Sequence, residues 1–156
     1  MDDAAAVRNR LESLLTTQRL GVLSTHDRGQ PYASLVAYAV TEDLGGIVFT
    51  TTRATRKFAY LTADPRVAML INDSVNAVSD FHRAAAVTAL GRAAVLDGQA
   101  AARYLPGYVE KHPYLESFAA APTTAMVRID VDRYILVKQF QKVIEIDIPF
   151  TMAAAP

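Results

Sequence analysis

The stretch Ile47-Val48-Phe49-Thr50-Thr51-Thr52-Arg53-Ala54-Thr55-Arg56-Lys57 gathers the side chains best suited to hold an anion. An apolar run ends in hydroxyls. Two adjacent cations, Arg56 and Lys57, then open a short segment of helical character that reaches Leu61, with Thr55 placed to cap it. A helix start offers unpaired N–H groups and the positive end of the peptide dipole. Those features suit a phosphate, to which Arg adds a two-pronged contact and Lys a point charge. The same residues would also serve as an ordinary solvated loop, because basic pairs are common on surfaces.

Other chemistries find less support. The chain has no cysteine, which excludes disulfides, a thiolate nucleophile and Cys-ligated metal. His26, His82 and His112 are dispersed, with no carboxylate at ligand spacing. His82, in Asp80-Phe81-His82-Arg83, is either an acid or base beside a site or a loop residue bonded to backbone and solvent. No G-x-G-x-x-G, Walker or G-x-S-x-G motif is present. Sixteen basic and sixteen acidic residues give a formal net charge of zero, so no global field favours nucleic acid, and an anion site must be local. No apolar run approaches a membrane span. The start, Met1-Asp2-Asp3-Ala4, is acidic and lacks a secretory apolar region, so a cytoplasmic location is the expectation.

The 156 residues, 51% hydrophobic and 21% charged, suit one folded domain over 1–156 rather than a disordered chain. Val7, Leu11, Leu14 and Leu15 give 4–18 one apolar helical face. Strands are expected over 20–25 and 32–40, joined by the Asp27-Arg28-Gly29-Gln30 turn, with Gly29 able to take positive φ. After the turn Glu42-Asp43-Leu44-Gly45-Gly46 a third strand covers 47–51. Asp64-Pro65 stops the helix that begins at Arg56, and a fourth strand covers 66–71. Residues 72–83 form a polar loop of unusual length, in which Asn72, Asp73, Ser74 and Asn76 either line a pocket or satisfy the loop's own backbone. A fifth strand covers 84–96, with Gly91 marking a bulge or a close backbone approach.

Residues 99–111 look helical, with Pro106-Gly107 expected to break or kink the helix. Tyr104, Tyr108 and Tyr114 are spaced to pack that helix on the barrel or on a partner. Two strands, 125–131 and 134–140, flank an Asp132-Arg133 turn, 143–148 extends or pairs with them, and the tail 151–156 is expected to fray. Hairpins, one short helix, then more strands describe a mainly β protein: an antiparallel barrel or sandwich with peripheral helices over 20–148.

Gln30-Pro31-Tyr32-Ala33-Ser34-Leu35-Val36, Phe49-Thr50, Thr55-Arg56-Lys57 with Leu61, and Asp64-Pro65-Arg66-Val67-Ala68 together resemble the FMN-binding split barrels related to pyridoxamine 5′-phosphate oxidase. Tyr134-Ile135-Leu136-Val137 with Phe140-Gln141 resembles the closing strands of that family. The resemblance implies a six-stranded antiparallel Greek-key barrel, a homodimer with FMN at the subunit interface, and a small-molecule substrate or electron donor. It places Arg56 and Lys57 on the FMN phosphate, and Phe49, Thr50, Thr51 and Thr55 beside phosphate and ribityl. Ser34, Leu35, Val36 and Ala37 would lie along the isoalloxazine, and Asn72 and Asn76 would face it from the partner. Phe140 would either cover the ring or belong to the core.

The family's second strand carries an Arg and a Lys where Ser34 and Ala39 stand here, and its Trp-containing closing segment is replaced by Gln139-Phe140-Gln141-Lys142. A related FMN-dependent oxidoreductase with another substrate therefore fits better than the oxidase itself. The alternatives are a flavin carrier or sensor without turnover, or the same barrel holding F420 or haem. Dimerisation has a separate basis, since 51% apolar residues exceed what one small core readily hides.

Overall fold

The computed structural model describes residues 3–152. Its strands are β1 (Leu20–Asp27), β2 (Gln30–Val40), β3 (Gly46–Thr52), β4 (Arg66–Asn72), β5 (Ala85–Val95), β6 (Thr124–Lys138), β7 (Lys142–Asp147) and β8 (Thr151–Met152). The helices are α1 (Ala4–Thr17), α2 (Arg56–Ala63), α3 (Asp80–Arg83), α4 (Gly98–Lys111) and α5 (Glu116–Ala120), with a 3-10 turn at Pro113–Leu115. The antiparallel order β3-β2-β1-β4-β5-β6 closes on itself through β6–β3 pairing, and β7 and β8 continue from β6. This is the expected mainly β, six-stranded split barrel with peripheral helices. No helix among the described residues is long and apolar enough to cross a membrane.

Alternation along each strand sends one face inward. Val36 and Tyr38 of β2, Phe49 of β3, Met69 and Ile71 of β4, Val87 of β5 and Leu136 of β6 meet in one core. Helix α1 covers part of that core with Val7, Leu11, Leu14 and Leu15, all nearly without exposure. Each such side chain contributes about 1.5–3 kcal/mol of transfer free energy. The hydroxyl of Tyr38 donates to the Leu15 carbonyl at 2.7 Å, joining the last turn of α1 to β2. A second, smaller cluster lies outside the barrel, where Ala39, Val48 and Met126 meet Tyr108 of α4.

Four expectations are corrected. Asp132-Arg133 is no turn: β6 runs unbroken from Thr124 to Lys138. Leu90 pairs with Arg133 and Gly91 with Val131, so Asp132 is the extra residue of a bulge. The bulge bends β6 so that its first half pairs with β3 and its second half with β7, which is how one strand serves both barrel and extension. Gly91 belongs there as expected, since a Cβ at that position would stand 2.2 Å from the Asp130 carbonyl oxygen. Pro106 does not break α4, which is continuous and capped by Asp97 accepting from the Ala100 N–H. Packing of Tyr104, Leu105 and Tyr108 on the outer cluster outweighs one absent hydrogen bond. Residues 80–83 of the long loop form a helical turn, α3. Thr151–Met152 pair with β7 rather than fray, while 153–156 lie outside the described residues.

Candidate functional site

Helix α2 starts as its residues require. Thr55 is extended, and its Oγ1 accepts the Phe58 N–H at 3.3 Å. The earlier N–H groups of the first turn have no intrahelical acceptor. They stand at the end of β3, and the cleft beside them, of about 210 Å³, is lined by Leu35, Val36 and Ala37 of β2, by Thr50, Thr51 and Thr52 of β3, by Thr55 and Lys57, and by Tyr108, Leu115 and Phe118 from the α4–α5 region. The fold thus brings Leu35, Val36, Ala37, Thr50, Thr51, Thr55 and Lys57 to one place.

Other expected residues lie elsewhere. The side chain of Phe49 is fully buried in the barrel core. Ser34 alternates with Leu35 and Ala37, so it points to the other face of β2. Its hydroxyl is buried and has no hydrogen-bond partner. Arg56 is exposed, with its guanidinium 5.3 Å from the centre of the Tyr32 ring. The two adjacent cations therefore diverge, and Lys57 alone of the pair lines the cleft.

Asn72, Asn76 and Phe140 do not line the cleft either. Asn72 Oδ1 accepts from both the N–H and the hydroxyl of Ser74. Asp80 accepts from the Val75 and Ala77 N–H groups, which hold its carboxyl below the usual range. Asn76 is exposed with φ of 59°. Phe140 is not core: it sits 64% exposed at the β6–β7 hairpin with φ of 65° and meets Phe81 edge to face. Asn72 and Phe140 border a separate apolar groove of about 450 Å³ with Leu70, Phe81 and Val137.

The hydroxyl row has more structure than its composition suggests. Thr51 Oγ1 and Thr55 Oγ1 are 2.8 Å apart, and each has the Thr52 carbonyl as a further acceptor. Thr50 Oγ1 donates to the Tyr108 hydroxyl at 2.9 Å, and that hydroxyl donates to the Ala37 carbonyl at 3.2 Å. With its proton directed at Tyr108, Thr50 is an acceptor toward the cleft, suited to a ligand hydroxyl rather than to a phosphate oxygen. The groups of this region left to attract an anion are then Lys57 and the first N–H groups of α2.

Tyr108 is the residue the sequence reading missed. It was expected to pack a helix, and it does, but its hydroxyl also closes the cleft. Burial raises its pKa, keeping the phenol protonated and able to donate. Of its companions, Tyr104 accepts from Arg128 Nη1 at 2.8 Å, whereas Tyr114 is fully exposed and packs nothing. No sequence signal separates Tyr108 from these neighbours, because the distinction depends on how α4 lies across β2 and β3.

The end of α4 is held by Lys111 and His112. Lys111 Nζ donates to the Leu15 carbonyl at 3.1 Å and lies 3.9 Å from the centre of the Tyr38 ring. Burial brings its pKa down to about 8. His112 is buried at the helix end, and its Nε2 meets the Tyr38 carbonyl at 2.7 Å. Burial lowers its pKa, opposed by that hydrogen bond and reinforced by the charges of Lys111 and Arg19. Since the unfolded imidazole takes up a proton first as pH falls, stability is expected to decline below about pH 6.5. His112→Gln, which retains a donor for Tyr38, is expected to flatten that decline in thermal unfolding measured across pH 5–7; an unchanged slope would assign it to other groups.

Of the remaining histidines, His26 is less exposed than its turn position suggests, with Nε2 3.0 Å from Asp64 Oδ2. His82 is exposed on α3. No cluster of ligating side chains suits a metal among the described residues.

Comparison with known proteins agrees with the geometry. The family model described as pyridoxamine 5′-phosphate oxidase matches residues 7–138. The chain belongs to that family. No curated protein matches it. A haem binding protein from Mycobacterium smegmatis superposes with a TM-score of 0.80 at 18% identity, over 94% of this chain and 59% of that one. ChuZ of Campylobacter jejuni superposes at 0.82 with 12% identity, over 99% of this chain and 64% of that one. An FAD-binding protein from Mesorhizobium loti superposes at 0.66 with 18% identity, over 83% and 90%. This chain therefore spans less than two thirds of the first two relatives. At these identities the superpositions establish the barrel, which a haem binding protein and an FAD-binding protein share.

Proposed function

We propose that this family member is an FMN-dependent oxidoreductase that works as a homodimer, with a substrate other than pyridoxamine phosphate. One observation carries the reading: Lys57 and the open start of α2 face the same cleft as the edge of β2, the pairing a phosphate-bearing nucleotide requires. The residues present fit such a group. Lys57 and the α2 N–H groups would hold its phosphate, Thr50 would accept from the ribityl hydroxyls, and the backbone of Leu35, Val36 and Ala37 would border the ring. Bound FMN would supply the capacity to take up and release one or two electrons. This chain would bind the cofactor, orient it and keep water from its ring.

A partner subunit completes the reading. The cleft is too small to enclose a whole nucleotide, since ligand pockets run to about 300–1,000 Å³. Leu35 at its rim and Leu70, Phe81 and Phe140 around the separate groove are exposed apolar side chains. A twofold pairing that set the groove of one subunit against the cleft of the other would bury them, and would bring Asn72 and Phe140 to the flavin. A haem reading has its own support in the M. smegmatis relative and in His82, which is next in sequence to Phe81 on the apolar groove.

The test is a visible spectrum of the purified protein before and after addition of FMN, followed by NADH or NADPH. Perturbed flavin bands that bleach with the donor are expected. Flavin bands that do not bleach would make the protein a carrier. No response to FMN, with a sharp band on adding haemin, would transfer the barrel to haem.

A further inference from the structure

A cavity of about 550 Å³ adjoins the cleft but is distinct from it. Ala37 and Thr50 border the cleft, whereas Ala39 and Val48 border the cavity. On each strand the second residue is two positions from the first, on the same outward face, about 7 Å away. Tyr108 borders both spaces, so cleft and cavity adjoin along β2 and β3 with Tyr108 between them. On the flavin reading, a nucleotide anchored by its phosphate at Lys57 and lying along β2 would direct its other end toward Tyr108 and the cavity beyond.

The cavity walls differ in chemistry. On one wall the Arg128 guanidinium lies against Gly46, where a Cβ would stand 2.6 Å from its Cζ, so the missing side chain makes room for the cation. Arg128 Nε is bound to Asp130 at 2.6 Å and Nη1 to the Tyr104 hydroxyl at 2.8 Å. Its Nη2 is left for a further acceptor, and so is the proton of the Tyr104 hydroxyl, which accepts from Arg128. Arg103 sits on the same side, its guanidinium 5.4 Å from the centre of the Tyr104 ring, the same distance as that of Arg128. This wall is rich in donors.

The adjoining wall is the β2–β3 turn that runs into Gly46, and it is rich in acceptors. Asp43 Oδ1 takes hydrogen bonds from Thr41 Oγ1 at 2.6 Å and from the Gly45 N–H at 2.9 Å, leaving Oδ2 for a ligand. Those bonds hold its carboxyl below the usual range, so the acceptor stays ionised. Glu42 stands exposed beside it. The turn is fixed from within, because Leu44 is buried and its carbonyl accepts from the Tyr134 hydroxyl at 2.6 Å.

We propose that this cavity binds a small organic acid that also carries an amine or hydroxyl group, with the carboxylate toward Arg128, Tyr104 and Arg103 and the donor toward Asp43 and Glu42. Donors and acceptors side by side in one cavity disfavour a simple anion or a simple amine, each of which would meet groups that repel it, and favour a molecule bearing both groups. That the occupant is the reacting partner of the cofactor rests on the flavin reading; that it binds there does not.

The test is a calorimetric titration of the flavin-free protein with lactate and with L-alanine, with propionate and propan-2-ol as controls that lack one group each. At least one of lactate and L-alanine is expected to saturate the protein and to bind about tenfold tighter than either control, the value of one charge-assisted hydrogen bond. Arg128→Lys and Arg103→Gln are each expected to weaken that binding several-fold. Arg103 is exposed, so its variant folds even if that of Arg128 does not. Failure of both ligands to saturate, or unchanged affinity in the folded Arg103→Gln protein, overturns the proposal. FMN binding is measured separately by fluorescence quenching on the same preparations. Loss of the flavin reading alone leaves acid binding intact, and loss of the acid site alone leaves FMN quenching intact.

Discussion

Lys57→Ala is expected to weaken FMN binding by about 1.5–3 kcal/mol, the worth of a charged hydrogen bond to the phosphate, which lowers affinity about tenfold to a hundredfold. Lys57 borders the cleft, and the hydroxyls around it are largely committed to one another. Among the described residues it is the one cationic side chain that lines the cleft. Arg56→Ala is expected to cost less, because Arg56 is exposed and rests over the Tyr32 ring. The double variant should exceed Lys57→Ala by no more than the modest value of an exposed charge.

Quenching of flavin fluorescence on titration measures all three proteins, and thermal unfolding without flavin checks that the fold is retained. Equal affinity of Lys57→Ala and the parent would remove the phosphate from this cleft. A larger loss for Arg56 than for Lys57 would mean that the Arg56 side chain leaves Tyr32 when the cofactor binds.

Gly91→Ala is expected to destabilise the fold by about 3 kcal/mol and to lower Tm by about 6–12 °C. The added carbon would stand 2.2 Å from the Asp130 oxygen, 2.9 Å from the Asp130 carbonyl carbon and 3.0 Å from Ile129 Cγ2. Two of those three atoms are backbone, fixed by pairing of β6 with both β3 and β5, so they cannot turn aside as a side chain would. The loss of freedom in the unfolded chain that alanine brings offsets only about 0.4–1 kcal/mol. Denaturant unfolding measures the difference directly. A variant within about 0.5 kcal/mol of the parent would show that the bulge relaxes at little cost, and that glycine is not what permits β6 to change partner.

The amino-acid sequence by itself determined the strand and helix sequence of the barrel, because these rest on local signals. Alternating burial marks β1, β2, β4 and β5, Arg28-Gly29 with positive φ makes the first hairpin turn, and Thr55 caps α2 as its side chain allows. It also brought most of the cleft into view, since Thr50 to Lys57 are contiguous in the chain and lie together for that reason.

Tertiary structure decided what local signals cannot carry. Whether Asp132-Arg133 turns or bulges depends on the two partners β6 must satisfy, and both are distant in sequence. Whether Pro106 ends α4 depends on the outer cluster that the helix covers. Adjacent Arg56 and Lys57 point apart because neighbouring positions on a helix do not share a face. Phe140 leaves the core because the β6–β7 connection turns there with positive φ. Tyr108 becomes part of the site because α4 crosses β2 and β3 at the height of Ala37 and Thr50, a placement set by packing between segments some sixty to seventy residues apart.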